Sequence, residues 1–134
     1  MSNTTYYSAN LINNKLLGDS ALSVPATYYL GISTTTTNKN GTGITEPTDG
    51  SYARIAITNN KTNFSASASG VINNLVEFEF PESSVSWGTV THWFLSDAAS
   101  GGNIWFQGAL SSTRTVDIST ILVLSVGSLT NTVT

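Results

Sequence analysis

The chain has 134 residues, of which 40% are hydrophobic and only 10% are charged, and its formal net charge is −3 at pH 7. An average globular domain has roughly 25% charged residues, whereas here Ser, Thr and Asn dominate, a composition common among all-β extracellular or particle-surface proteins. The acidic balance and scattered basic residues argue against a nucleic-acid partner, and the lack of cysteine excludes disulfides and thiolate metal sites.

Residues 1–24 are predicted to form an N-terminal arm with a short helix, ahead of a single β-domain over residues 25–134. Ser8 is placed to cap this helix and Gly18 to end it. The apolar side chains between them form a narrow stripe, which consists of Leu11, Ile12 and Leu16. A helix of two or three turns is unstable alone, so we expect it to pack on its own sheet or on a neighbouring subunit.

Two strands flank a long loop in the next part of the chain. Residues 26–33 alternate in hydrophobicity, which places three apolar side chains on one face: Tyr28, Leu30 and Ile32. Residues 52–58 also alternate, and one face is formed by Tyr52, Arg54, Ala56 and Thr58. Residues 34–51 connect the two strands, and a loop of this length in a compact domain is usually functional or mobile.

Further short strands are predicted in the second half of the chain. The pair Asn73-Asn74 is typical of a hairpin turn, and residues 75–80 then alternate between buried apolar side chains and the exposed Glu77 and Glu79. Residues 89–97 form a central strand, because apolar side chains occupy both faces: Val90 and Phe94 on one, Trp93 and Leu95 on the other.

The remaining strands complete the predicted fold. Residues 104–110 return as the second strand of a hairpin, and three short strands follow at 113–118, 121–126 and 129–133. Eight or nine short antiparallel strands separated by turns predict an all-β, β-sandwich-like single domain.

No set of reactive residues predicts catalysis. His92, the single histidine, lies on a predicted strand and is interpreted as a packed structural residue, and no Gly-x-Ser-x-Gly nucleophile motif is present. Glu77 and Glu79 are interpreted as the solvated face of a strand, although a cation site there stays open. We therefore predict no catalytic, cofactor-binding or metal-binding residues.

The aromatic residues have two interpretations. Trp93 and Trp105 lie on the two strands of the predicted hairpin, where they could stack as a cross-strand pair within the core. Alternatively these tryptophans, together with Trp87, form an exposed patch that binds a sugar or a protein neighbour.

Arg54 is a charged residue in the middle of an otherwise apolar strand. Glu46 and Asp49 precede it in the long loop. We predict that Arg54 pairs with one of these carboxylates and so attaches the loop to the sheet.

Two long blocks of the sequence resemble a family of small phage virion proteins that are described as tail fibre proteins. Residues 41–57 follow the pattern Gly-x-Gly-x-x-Glu-Pro…Tyr-Ala-Arg, and residues 87–110 follow Trp-Gly-Thr-Val-Thr-His…Gly-Gly-Asn. The segment from Asn14 to Leu17 also fits. The chain departs from the family at Trp93 and Trp105, where smaller or differently shaped apolar residues are usual.

The resemblance implies a non-enzymatic virion structural protein. Placement in a tail or fibre is the first interpretation, a capsid decoration protein on the head is the second, and a carbohydrate-binding module is the third. The implied partners are other phage structural proteins and the chain itself as a homo-oligomer, with a host-surface glycan as a further candidate. The first seven residues have no basic or apolar signal region, so assembly in the host cytoplasm is expected, without membrane insertion.

Overall fold

The computed structural model describes residues 2–133, which form one α-helix and eight β-strands. The helix is α1 (Tyr6–Gly18). The strands are β1 (Thr27–Ser33), β2 (Ile55–Thr58), β3 (Val71–Asn73), β4 (Phe78–Glu79), β5 (Gly88–Ser96), β6 (Ile104–Val116), β7 (Val123–Leu124) and β8 (Thr130–Thr132). The prediction of an all-β domain with a short N-terminal helix is confirmed.

The strands form one four-stranded sheet and two ribbons. The sheet has the order β2-β1-β5-β6 with antiparallel neighbours, and β3 pairs with β8 while β4 pairs with β7. Buried side chains of the sheet and of the ribbon regions join in one hydrophobic core, which includes Leu30, Trp93, Phe78, Leu124 and Leu129. The ribbons thus cover one face of the sheet, in the layered arrangement of a β-sandwich.

The inner face of the sheet follows the predicted alternation. Tyr28, Leu30 and Ile32 are all buried, as the period of two in β1 predicts. Leu30 lies directly across from Leu95 of β5, which in turn lies across from Phe106 of β6. Residues that face each other across strands share a face of the sheet, so this row contributes to the core.

Strand β5 is central and covered on both faces, as its apolar residues predict. Trp93 and Leu95 join the main core, whereas Phe94 is fully buried outside that core, on the opposite face. Val90 was expected on the Phe94 face, but it belongs to the main core. The cause is a register shift between Val90 and His92, which interrupts the strict alternation of the strand.

Strand β6 is longer than predicted. The segments 104–110 and 113–118, expected as separate strands, are joined in the single strand Ile104–Val116. Val90 pairs with Arg114 while His92 pairs with Ala109, so residues 110–113 of β6 lie opposite one residue of β5. The boundary predicted between the two segments is therefore an irregularity within one ladder.

The predicted hairpin turn at Asn73-Asn74 is wrong. Strand β3 ends at Asn73 and pairs with β8, and the side chain of Asn74 is fully buried. Its Nδ2 donates to the carbonyls of Val76 and Ser125, at 2.8 and 3.0 Å, and its Oδ1 accepts from Leu129 N–H at 3.0 Å. A residue with turn propensity thus serves as a buried hydrogen-bonding bridge, because tertiary contacts satisfy its amide.

Helix α1 begins earlier than predicted. Its N-cap is Thr5 rather than Ser8, and the buried Ser8 lies in the first turn, where its Oγ donates to the Trp105 carbonyl at 2.5 Å. The helix ends at Gly18, and the next residue, Asp19, adopts a left-handed conformation with φ of 48°. Within residues 2–133 no helix combines the length and apolar character needed to cross a membrane.

The segment before α1 is attached to both layers of the domain. Asn3 N–H and Oδ1 bond to the backbone of Thr132, at 2.6 and 2.7 Å. Asn3 also forms two hydrogen bonds with the backbone of Gln107. Gln107 N–H donates to the Asn3 carbonyl at 2.9 Å, and Asn3 Nδ2 donates to the Gln107 carbonyl at 2.9 Å. Thr4 pairs with Phe106, so this segment extends the sheet beyond β6.

Candidate functional site

Arg54 is the centre of a cluster of hydrogen bonds that joins three segments of the chain. Its Nε donates to Glu46 Oε1 at 2.9 Å and its Nη2 donates to Glu46 Oε2 at 3.0 Å, a two-point contact between planar groups. Its Nη1 donates to the carbonyls of Ala98 and Gly101, at 2.8 and 2.9 Å. Glu46 is thus the partner of Arg54, and the pair joins the 34–51 loop to the β5–β6 turn.

The outer face of the sheet provides the surface beneath Arg54. The Arg54 Cζ atom lies 4.9 Å from the ring centroid of Phe94, within the range of a cation–π contact. The Phe94 ring covers Gly31, where an added Cβ atom would lie only 2.1 Å from the ring. Glycine at this position therefore allows the ring to lie against β1, and Arg54 lies over the ring.

Tyr52 connects the same cluster to the core. Its hydroxyl donates to Glu46 Oε1 at 2.7 Å and accepts from Ile32 N–H at 3.3 Å. Burial, followed by the hydrogen bond to Glu46, raises the pKa of Tyr52 far above its ordinary value. The ring stacks on Phe80 and meets Trp87 edge-on, with centroid distances of 6.1 and 5.4 Å. A single side chain therefore contacts the loop, β1 and the core.

Asp49 does not pair with Arg54 but accepts hydrogen bonds from a second loop. Ser84 donates to it through both its N–H, at 2.7 Å, and its hydroxyl. Trp87 Nε1 donates at 2.9 Å, and Ser51 donates through its N–H and hydroxyl at 3.0 and 2.8 Å. The pKa of Asp49 lies well below its ordinary value, mainly because the Ser84 hydroxyl donates to the carboxylate. Burial opposes this shift, and the hydrogen bonds from Ser51 and Trp87 lower the pKa further.

His92 and Asp97 make separate polar contacts in the described part of the chain. His92 is half-buried, its Nδ1 lies 2.8 Å from Thr91 Oγ1, and burial lowers its pKa. Burial acts to raise the pKa of Asp97, but hydrogen bonds from Asn103 and Trp105 outweigh it and the net shift is downward. Asp97 is thus engaged by these two residues, and no hydrogen bond joins it to His92 among the described contacts.

No cluster of three or more possible metal ligands occurs within residues 2–133. Glu77 and Glu79 are exposed, as the alternation of residues 75–80 predicts, while Phe78 and Phe80 are buried.

Trp93 and Trp105 both pack in the core, but they do not lie across from each other on the two strands. Trp93 lies across from Gly108, and a register shift between Leu95 and Ser96 leaves Trp105 without a direct partner on β5. Trp105 instead meets Tyr7 and Tyr28 edge-on, with ring centroids 5.4 and 6.0 Å apart. Trp87, Trp93 and Trp105 are all buried, so they do not form an exposed aromatic surface.

The C-terminal end of α1 presents apolar side chains to solvent. Leu11 packs against the core and Ile12 is half-buried, but Leu16 and Leu17 are 74% and 89% exposed. We call Leu16 and Leu17 the leucine knob. Leu17 was not among the interaction candidates, although two successive leucines on a short amphipathic helix cannot both face its sheet.

A pocket opens between the two layers of the sandwich. Its volume is about 370 Å³, and we call it the interlayer pocket. It is lined by Tyr28, Asn59, Asn60, Lys61, Phe64, Ile72, Leu95, Phe106, Leu129 and Asn131. Burial raises the pKa of Tyr28 to about 12, with a smaller effect of the Asp97 charge. Sequence patterns do not reveal this pocket, because its lining comes from distant segments.

The fold and these surfaces define a class of protein: a small β-sandwich with anchored loops and exposed apolar side chains at one end of its helix. The model of the family described as podophage GP4 fiber I protein gp80 matches residues 3–132, nearly the whole chain. The chain therefore belongs to this family of podophage fibre proteins, as its resemblance to phage fibre proteins indicated. A comparison with curated proteins found no match.

Proposed function

We propose that the chain is a non-enzymatic structural subunit of a phage tail fibre, incorporated into the virion after assembly in the host cytoplasm. The match of the fibre-protein family to residues 3–132 carries this proposal. It spans the helix, the sheet and both ribbons, so the family relationship concerns the complete β-domain and not a shared short motif.

The anchoring of the long loop supports a structural role. Glu46 and Asp49, both in the 34–51 loop, bind Arg54 and Trp87 respectively. Arg54 lies over Phe94 on the outer face of the sheet, whereas Trp87 belongs to the main core. Multiple hydrogen bonds to charged groups hold backbone segments in one arrangement. A particle component needs such fixed surfaces, since its contacts with neighbours must form in the same register in every copy.

The absence of enzymatic activity is supported by the contacts of the polar residues. Asp97 binds Asn103 and Trp105, and Asp49 binds Ser84 and Trp87. The pKa of each carboxylate is lowered, because the hydrogen bonds that it accepts favour its ionised form and outweigh the opposing effect of burial.

Self-association is part of the proposal, with α1 as the contact element. A helix of 13 residues gains little stability by itself, and its last turn carries the leucine knob into solvent. Leu16 and Leu17 are adjacent and strongly exposed, which supports a contact surface at this end of the helix. Other phage structural proteins are the remaining partners that the family relationship supports.

The location can be tested by imaging particles that carry the chain, labelled with gold-conjugated antibodies raised against the purified domain. We expect gold at the tail, with tens of copies or fewer in each particle by quantitative mass spectrometry. Labelling over the head surface with hundreds of copies would overturn the tail placement and favour capsid decoration. Particles without the gene product serve as the labelling control.

A further inference from the structure

The leucine knob and the interlayer pocket are complementary in polarity. The knob consists of aliphatic side chains that water surrounds, at 74% and 89% exposure. The pocket has a floor of Tyr28, Leu95 and Leu129, which are nearly inaccessible to solvent. Its volume of about 370 Å³ lies at the small end of ligand pockets, roughly 300–1,000 Å³, which suits one or two aliphatic side chains.

Charge is complementary as well. Lys61 lies on the exposed part of the pocket lining, and its Nζ donates to the Ser65 carbonyl at 3.1 Å. The knob is followed by Asp19, whose side chain is 94% exposed, and the C-terminal end of a helix carries partial negative charge. Asp19 forms an ion pair with Lys15 on the exposed surface. Because an exposed ion pair contributes little stability, Asp19 can change to another cation at low cost.

We propose that the leucine knob of one copy inserts into the interlayer pocket of a second copy, with Asp19 facing Lys61. No residue of α1 lines the pocket, so the two halves of the contact lie on different surfaces of the chain. Such a contact is head-to-tail and repeats: it yields a ring when the rotation closes and a filament when it does not. The inference rests on the proposed self-association and is independent of the tail placement.

Disulfide trapping tests the head-to-tail geometry directly, because the chain has no native cysteine. Ser20→Cys introduces a thiol beside the knob and Thr62→Cys introduces one beside the pocket, at two exposed positions. Oxidation of a mixture, with one variant carrying a mass tag, should give the mixed dimer in at least tenfold excess over either homodimer. Homodimer yields equal to the yield of the mixed dimer, or the absence of a mixed dimer, would overturn the proposal.

Sedimentation velocity of the purified chain tests the residues themselves. The double variant Leu16→Ser, Leu17→Ser changes exposed side chains, so it should fold and yet associate at least tenfold more weakly than the unmodified chain. The matched control is Ile118→Ser, which removes a 64% exposed apolar residue elsewhere and should leave association unchanged. Equal association of the knob variant and the unmodified chain, or a monomeric unmodified chain at all concentrations, contradicts the proposal.

Reversal of the charges at Asp19 and Lys61 tests the orientation of the contact independently. Asp19→Lys should weaken association, and combining it with Lys61→Asp should restore it, because the pair is then reversed rather than broken. Failure of the double reversal to restore association contradicts the assigned orientation. If the tail labelling fails while these results hold, only the particle location is wrong.

Discussion

Arg54 lies over the ring of Phe94, with its Cζ atom 4.9 Å from the ring centroid, and its guanidinium binds Glu46 through two nitrogens. The Arg54 side chain is only 6% exposed, against 27% for Glu46. Strand β2 begins at Ile55, so Arg54 lies just before it rather than within it as the alternation of residues 52–58 predicted. Its charge is sheltered by an aromatic ring, a carboxylate and two backbone carbonyls. The pair fixes the long loop on the outer face of the sheet.

Replacement of Arg54 tests this attachment. Arg54→Ala leaves Glu46 partly buried without its cation and removes the contact with Phe94, so we expect a loss of about 2–4 kcal/mol in the free energy of unfolding. Arg54→Lys should recover only part of it, since an ammonium cannot make the two-point contact. Urea unfolding measures both variants. The control Arg114→Ala changes an exposed arginine, and an equal loss there would contradict the assignment.

Gly31 is predicted to tolerate no side chain. A Cβ atom there would lie 2.1 Å from Phe94 Cζ, inside a fully buried contact, so Gly31→Ala should cost about 3 kcal/mol or more. The double variant Gly31→Ala, Phe94→Leu should recover part of the loss. Gly50→Ala is the control, because nothing lies within 4 Å of its added Cβ. Thermal melting compares them, and a neutral Gly31→Ala would be inconsistent with the packing described.

The stability of the domain should fall with acid. The pKa of Asp49 is lowered in the folded chain, whereas an unfolded aspartate titrates near about 3.9. The Asp49 carboxylate therefore contributes its full stabilisation at pH values above its pKa in the unfolded chain. This stabilisation is lost as the pH falls below that pKa towards the lower pKa of the folded chain. Asp97 acts in the same direction. Urea midpoints measured between pH 6 and pH 3 should fall for the unmodified chain.

Asp49→Asn should have a lower midpoint at pH 6 and a shallower fall with acid. Its amide retains one acceptor oxygen but presents hydrogens to the groups that donate to the native carboxylate, including Ser84 and Trp87. A matched control is Asp117→Asn, which changes an exposed carboxylate. Identical pH profiles for Asp49→Asn and the unmodified chain would rule out the role given to Asp49.

Replacement of the N-cap of α1 tests how far the helix start stabilises the domain. Thr5 Oγ1 donates to the Ile104 carbonyl at 2.5 Å and caps the first turn, so Thr5→Ala should destabilise the domain by about 1–2 kcal/mol. Thr5→Ser keeps the hydroxyl and should be nearly neutral. Thr42→Ala, at an exposed loop position, is the control for loss of a threonine methyl and hydroxyl. Denaturant unfolding followed by tryptophan fluorescence gives the comparison.

Local patterns in the sequence were sufficient to predict the class of fold. The alternation of residues 26–33 and 75–80 identified the buried faces, since a strand places successive side chains on opposite sides. The apolar residues on both faces of β5 identified the central strand. Arg54 could be recognised as a residue that needs a partner, because an unpaired charge is not buried in a strand. The blocks at 41–57 and 87–110 indicated the phage fibre relationship.

The tertiary structure decided what depends on contacts between distant residues. It paired Arg54 with Glu46 rather than Asp49, and it separated Trp93 from Trp105 by a register shift. It buried Asn74, whose local preference is for a turn, and it opened the interlayer pocket between segments that are remote in the chain. Local periodicity determines which side chains must be buried, but strand register and layer packing determine which of them meet.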